Sequence, residues 1–305
     1  MAELREITSG LQFPEGPVWM RDGSVLVTEI RRGTITRVEP DGRKTVVAET
    51  GGGPNGAAVG PDGKLYVCNN GGFEWHEQHG LVVPGDQPAS YIGGRIQRVD
   101  LDTGKVEDLY TECDGHPLRG PNDIVFDTAG GFWFTDLGKS RARERDRTGV
   151  FYAHTDGSLI REVLFPLDGG PNGVGLSPDG KRVYVAETYT GRLWAWDVAA
   201  PGEVVPTPGL TGAGGTLLCG LPGMQLFDSL AVDAAGNVCV ATLVNGGITI
   251  VPPSGESVRH FPTPDPLTTN ICFGGPDLRT AFITLSATGR LVATEWETPG
   301  LRLAF

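Results

Sequence analysis

Five short phrases along the chain each set a carboxylate or an amide just ahead of an apolar strand pattern. They are Phe13-Pro14-Glu15-Gly16-Pro17, Gly53-Pro54-Asn55-Gly56, Gly120-Pro121-Asn122-Asp123, Gly170-Pro171-Asn172-Gly173 and Leu226-Phe227-Asp228-Ser229. Thr269-Asn270 before Ile271-Cys272-Phe273 is a weaker sixth. Glu15, Asn55, Asn122, Asn172, Asp228 and Asn270 are all oxygen donors, with no thiolate or imidazole among them. Two carboxylates balance a divalent charge, and amide carbonyls add ligands without overcharging the site. Such a set suits a hard cation, Ca²⁺, Mg²⁺ or Mn²⁺. Asn before Gly is also a common turn dipeptide, so one isolated copy reads as a turn. Repetition in register, with acids replacing the amide twice, reads as a site.

The elements that must position these donors follow from the same repeat. After each phrase comes an apolar alternation, a turn, and a second alternation, as in Gly56-Ala57-Ala58-Val59-Gly60-Pro61-Asp62-Gly63-Lys64-Leu65-Tyr66-Val67. Turn residues recur at Asp22-Gly23, Pro61-Asp62-Gly63, Ala129-Gly130-Gly131, Pro178-Asp179-Gly180, Ala235-Gly236-Asn237 and Gly275-Pro276-Asp277. Asp, Asn and Gly suit these places because they tolerate positive φ and bond the local backbone. A Gly-led third strand follows, such as Gly33-Thr34-Ile35-Thr36 or Gly191-Arg192-Leu193-Trp194, then a fourth, such as Thr45-Val46-Val47-Ala48. The six key positions are separated by 40, 67, 50, 56 and 42 residues. A four-stranded unit repeated at this period predicts an all-β, six-bladed β-propeller with antiparallel blades around a central channel. Residues 1–305 are expected to form one such domain. Leu4-Arg5-Glu6-Ile7 would supply the outer strand of the last blade. The long interval comes from an insertion of about residues 71–93 in the second blade. It carries Glu74, Trp75, His76 and His79, and the mouth it covers depends on strand direction.

Composition narrows the classes. The 46 Gly and 23 Pro of 305 residues fall at regular turns rather than in low-complexity runs, which fits many short strands. A net charge of −12 and a pI near 4.9 exclude a basic nucleic-acid surface. The basic run Lys139 to Arg147 is interrupted by acids and reads as a solvated loop. None of the five cysteines forms a Cys-x-x-Cys pair. With no apolar leader and no stretch long enough for a bilayer, a soluble, reduced, cytoplasmic protein without a membrane or nucleic-acid partner is expected. No Gly-x-Ser-x-Gly occurs, and Gly212-Ala213-Gly214-Gly215 lacks the residues of a phosphate loop. It reads as a linker between blades.

The ordered motifs Pro14-Glu15-Gly16-Pro17-Val18-Trp19, Pro121-Asn122-Asp123, Pro171-Asn172-Gly173-Val174 and Asp228-Ser229-Leu230-Ala231-Val232-Asp233 resemble those of the regucalcin (senescence marker protein)/gluconolactonase/LRE family of six-bladed propellers. The resemblance runs from about Leu11 to the C-terminus. It implies that Glu15, Asn172 and Asp228 hold a central divalent metal. Asn122 matches an amide that joins the metal in some members and contacts substrate in others. The related diisopropyl-fluorophosphatases use a similar Glu-Asn-Asn-Asp set. Ca²⁺ is the first expectation, with Mn²⁺, Mg²⁺, Zn²⁺ or Fe²⁺ also admissible.

The family's usual reaction is hydrolysis of a sugar lactone, a small-molecule substrate. A metal would polarise the carbonyl, and Asp228 is the candidate general base. In some relatives the corresponding Asp is argued to be a nucleophile. Two departures stand out. The insertion is absent from the short animal proteins, and their substrate arginine, two residues before the Asn, is Gly120 here, with Arg119 one place earlier. Arg119, Asn55, Asn122, Trp75 and His76 are candidate substrate contacts, with Asn270 beside them. His79 reads as exposed, and Asp123 as a structural hydrogen-bond partner. Other reactions at the same centre are phosphotriester hydrolysis and metal-assisted C–C cleavage. A non-catalytic metal-binding propeller, including a calcium buffer, is the other class.

Overall fold

The computed structural model describes residues 3–208 and 213–305. Six antiparallel sheets follow one another along the chain. Blade 1 runs Pro14–Trp19, Val25–Glu29, Thr34–Val38 and Lys44–Glu49, and blade 2 runs Pro54–Val59, Leu65–Asn69, Arg95–Val99 and Val106–Tyr110. Blade 3 holds Pro121–Phe126, Gly131–Asp136, Val150–His154 and Ile160–Leu164. In blade 4, Pro171–Leu176, Arg182–Glu187 and Arg192–Ala200 are completed by Thr216–Gly220, with the short Glu203–Val204 on the same third strand. Blade 5 holds Leu226–Val232, Val238–Leu243, Gly247–Val251 and Arg259–Pro262. Thr268–Gly274, Thr280–Leu285 and Arg290–Glu295 make blade 6, whose outer strand is the N-terminal Arg5–Thr8.

Each inner strand packs against the inner strands of both neighbours, and blade 6 meets blade 1, so the ring closes. The expected outer strand pairs Arg5 with Ala293 and Glu6 with Val292. Closure leaves no open sheet across the ring and joins the two ends of the chain. Among the described residues no helix is long and apolar enough to cross a membrane.

Alternation along the second strands explains the layering. In blade 1, Val25 and Val27 face blade 6 while Leu26 faces blade 2. In blade 3, Phe132 and Phe134 face blade 2 while Trp133 faces blade 4. Both faces of a sheet must therefore be apolar, and the core is six interblade clusters rather than one centre. Cysteines serve as small hydrophobes here: Cys68, Cys113, Cys219 and Cys239 are buried and all five are free. Burial pushes the Cys272 thiol up to about 12, far from a reactive thiolate.

The turns after the inner strands form as expected at the rim opposite the site phrases. Asp22, Asp62, Asp179 and Asp277 each accept the backbone N–H two residues on, at 2.9, 3.2, 3.1 and 3.1 Å. The Gly-rich stretch at 212–215 is a correction. Gly212 lies outside the described residues, and Ala213 to Gly215 precede the outer strand of blade 4 rather than linking two blades. The indole N–H of Trp196 donates to the Ala213 carbonyl at 3.1 Å, holding that connection within the blade.

Candidate functional site

Glu15, Asn55, Asn122, Asn172 and Asp228 stand in one structural register. In blades 2 to 4 the strand pairing at Pro54–Asn69, Pro121–Asp136 and Pro171–Glu187 is followed by a bulge that contains the donor residue. Blade 5 repeats this after Phe227–Thr242, and blade 1 shifts register just beyond Glu15. A bulge sets two inner-strand residues against one partner and re-aims the donor side chain. The turn reading of Asn-Gly fails in physical detail. Gly56 and Gly173 lie inside strands without positive φ, and a Cβ on either would meet the next donor's carbonyl oxygen, Asn122 O at 2.5 Å or Asp228 O at 2.7 Å. Glycine is needed there because neighbouring inner strands crowd together at the axis. Thr28 Oγ1 donates to the Asn55 carbonyl at 2.8 Å, and Thr135 Oγ1 to that of Asn172, so each bond stitches one blade to the next donor.

Blade 6 departs from the expected equivalence. Thr268 pairs with Leu285 and Asn270 with Thr284, which puts Thr269 at the bulge and Asn270 one place beyond it. Asn270 therefore does not present a sixth donor in register. Its Nδ2 donates to Glu15 Oε2 at 2.7 Å, and its Oδ1 accepts the Ile271 N–H at 2.7 Å. Asp123, at the comparable place in blade 3, accepts from Ile124 N at 3.0 Å and Val174 N at 3.2 Å. This is the structural bonding expected of it.

Glu15, Asn55, Asn122 and Asn172 are nearly fully buried, whereas Asp228 keeps partial access. Glu15 Oε1, Asn55 Oδ1 and Asn122 Oδ1 are buried oxygens with no hydrogen-bond donor among the described residues. Each such atom costs about 1–3 kcal/mol unless something satisfies it. Asn172 donates from Nδ2 to Thr188 Oγ1 at 2.9 Å, which fixes its amide, and Ser229 Oγ lies 3.5 Å from its Oδ1. Burial first, and then the charge of Asp228, holds the Glu15 carboxyl above the usual carboxylate range, against the donors Asn270 and Gly16 N–H. Asp228 is raised by burial, opposed by the Asn172 amide and reinforced by Asp123. A divalent cation would reverse this, because a nearby positive charge favours the ionised form. Among the described residues no three His, Cys, Asp or Glu side chains cluster as a metal-binding group. Any cation at the ring must therefore draw on the amides. Unpaired buried oxygens on one carboxylate, Glu15, and two amides, Asn55 and Asn122, fit a hard divalent ion.

The approaches to Glu15, Asn55 and Asn122 are held by residues that sequence reasoning missed. Asp136 accepts the N–H groups of Arg119, Gly120 and Gly138 at 2.7, 2.7 and 2.8 Å, cradling the chain that enters Pro121-Asn122. Asn69 Oδ1 accepts Gly53 N at 3.0 Å, and Glu29 Oε2 accepts Gln12 N at 2.6 Å. A signal was present: a polar residue ends the second strand in Thr28-Glu29, Cys68-Asn69, Thr135-Asp136 and Ala186-Glu187.

Strand direction answers where the insertion lies. Asn69 pairs with Pro54, so the segment leaves the blade at the same mouth as Asn55. It folds as a hairpin, Trp75–Gln78 with Leu81–Pro84. Trp75 packs on Phe13 at 5.1 Å between ring centres, Glu77 pairs with Arg31 at 2.9 Å, and Val82 N donates to Ala287 O at 3.0 Å. Gln87 N donates to Ser140 O at 2.9 Å. The insertion thus reaches from blade 2 to blades 1, 6 and 3. His76 is exposed and sits against Gly85 of its own hairpin; His79 is exposed at the tip with φ 52°. Arg119 is exposed at the mouth, with its carbonyl accepting from Tyr91 Oη at 2.7 Å, and His116 is exposed on the short hairpin Glu112–Cys113/His116–Pro117.

Comparison with known proteins places this architecture. The chain is 28% identical to a gluconolactonase of Zymomonas mobilis, over 93% of this chain and 79% of that one. A solved gluconolactonase of Xanthomonas campestris superposes with a TM-score of 0.76 at 23% identity, covering 98% of this chain and 90% of the other. A calcium-binding regucalcin of Agrobacterium tumefaciens superposes with a TM-score of 0.74 at 18% identity, covering 99% and 98%. The model of the SMP-30/gluconolactonase/LRE-like region matches residues 13–287, nearly the whole propeller including every donor of the ring, and the chain belongs to that family.

Proposed function

We propose that Glu15, Asn122, Asn172 and Asp228 hold one divalent cation, Ca²⁺ in the first place, and that a sugar lactone or related small cyclic ester is hydrolysed beside it. The enzyme class, a lactonase-type hydrolase, follows from the family and its gluconolactonase relatives. The observation that carries the metal reading is the set of buried oxygens on Glu15, Asn55 and Asn122 that no donor among the described residues satisfies. The calcium-binding regucalcin of the same fold supports Ca²⁺ as the first ion to test.

When bound, the cation supplies Lewis-acid polarisation of an ester carbonyl. Asp228 is the ring carboxylate that keeps partial access, and it accepts the proton of the attacking water. The water oxygen bonds the carbonyl carbon, the ring C–O bond breaks, and a hydroxy acid leaves with release of a proton. Asn55 and Asn122 orient the substrate from the floor, and Arg119 reaches it from the exposed rim. Trp75 and His76 belong to the insertion, which walls the mouth and limits water entry.

The test is proton release from a panel of sugar and aliphatic lactones. Metal-stripped protein is assayed with and without Ca²⁺, Mn²⁺, Mg²⁺, Zn²⁺ and Fe²⁺, with Glu15→Gln as control. Metal-dependent acid production that the variant loses is the expected result. Stoichiometric metal binding with silence across the panel would overturn lactone hydrolysis.

A further inference from the structure

Asn70 follows the second strand of blade 2 at the mouth that holds the donor ring, and it is 2% exposed. Its orientation is determined by its neighbours. Oδ1 accepts the Gly72 N–H at 2.8 Å and the Lys139 ammonium at 3.3 Å. Both partners are donors, so a flipped amide would set N–H groups against N–H groups. Nδ2 is therefore committed to the other side, where it is buried without an acceptor among the described residues. The side chain lies against Gly53, where an added Cβ would collide with Oδ1, two residues before Asn55.

Lys139 makes this arrangement costly to explain as packing alone. Its ammonium, from blade 3, is 1% exposed and donates to Gly72 O at 2.6 Å as well as to Asn70, with the Phe73 ring 3.8 Å away. Among the described residues no carboxylate pairs with it, and the nearby Asp146 pairs with Arg141 instead. Burial lowers its pKa to about 7, against the upward pull of Asp136 and Asp146. A buried lysine without a carboxylate partner among the described residues thus fixes the orientation of an amide whose donor stays unused. The amide is held by two donors, with its Oδ1 beside Gly53, two residues before Asn55.

We propose that Asn70 is a specificity residue whose Nδ2 donates to a hydroxyl oxygen on the substrate ring, with Lys139 as the positioning residue that holds the amide in that orientation. This rests on the lactone reading and narrows it to polyhydroxylated lactones. The cation's ligands face the ester group; the Asn70 amide serves the substituents. Asn70 lies outside the repeated donor phrases, within the run Asn69-Asn70-Gly71-Gly72 that opens the insertion.

The test compares glucono-1,5-lactone with unsubstituted δ-valerolactone as substrates of the metal-loaded protein, for wild type, Asn70→Asp, Asn70→Ser and Lys139→Met. For Asn70→Asp, KM for the hydroxylated ring is expected to rise about 10-fold or more, while KM for δ-valerolactone stays near wild type. Lys139→Met should shift the same ratio in the same direction, and the Asn70→Asp/Lys139→Met pair should be non-additive. Asn70→Ser keeps a donor and guards against a variant that fails to fold. Equal KM changes for both substrates would mark a structural role and overturn the proposal, as would unchanged KM for both.

If wild type hydrolyses neither compound, the lactonase reading fails separately. The amide is then read by thermal stabilisation with the same two compounds. Stabilisation by glucono-1,5-lactone alone, lost in Asn70→Asp, upholds the contact; equal or absent stabilisation overturns it.

Discussion

Asn270 and Glu15 are joined by a 2.7 Å hydrogen bond across 255 residues of chain, from the last blade to the first. The bond ties the ring closed at its axis. It also occupies Glu15 Oε2, and Oε1 has no partner among the described residues. One amide thereby serves both ring closure and the aim of a proposed metal ligand.

Replacing that amide should separate the two effects. Asn270→Ala is expected to weaken Ca²⁺ binding about 10-fold, as loss of a group that orients a ligand does elsewhere. The same change should lower metal-free stability by about 1–3 kcal/mol. Calorimetric titration and urea unfolding measure each; unchanged metal affinity would deny Asn270 its orienting role.

Crowding at the axis predicts a strict limit at Gly56. A Cβ there would sit 2.5 Å from the Asn122 carbonyl oxygen, and backbone cannot yield as a flexible side chain does. Gly56→Ala should destabilise the fold by about 1–3 kcal/mol through overpacking. The urea midpoint should fall, whereas Gly63→Ala, in open space at the opposite rim, should act only through its φ of 73°.

The buried lysine sets a pH dependence with a definite sign. Lys139 is lowered from the usual lysine value to about 7 by burial, so below about 7 it is charged in both folded and unfolded chains and its burial cost is present in full. Between about 7 and the ordinary lysine range the unfolded chain binds the extra proton. Stability from this group must then rise with pH. Subtracting the urea stability of Lys139→Met from that of wild type should give a difference that grows upward from pH 7. A flat difference would mean that Lys139 titrates normally.

Ring closure by the N-terminal strand is testable by deletion. Removing residues 1–8 leaves Arg290–Glu295 without its outer partner and exposes an edge. The melting temperature should drop by about 5 °C or more, the shift expected for a loss of a few kcal/mol in a domain of this size. An unchanged melting curve would show that the strand merely decorates the ring.

Much of this architecture was legible in the residues, because a period-2 alternation and a repeated turn are local facts. The four-stranded repeat, the blade count and the N-terminal closing strand all follow from patterns such as Val25-Leu26-Val27 and Asp62-Gly63. The donor phrases were visible for the same reason: each lies at the entrance to an inner strand. What the alternation could not carry was register within a bulge. Asn270 looks like a sixth copy in sequence, yet it stands one place past the donor position, which Thr269 holds, and is a partner of Glu15 rather than a ring donor. Nor could the sequence show that the glycine after Asn55 answers crowding from blade 3 rather than a turn. The pairing of Lys139 with Asn70, 69 residues apart, was equally hidden, because the basic run around it reads as solvent-exposed. Periodicity determines which face a strand buries; only the closed ring decides which distant residues that burial brings together.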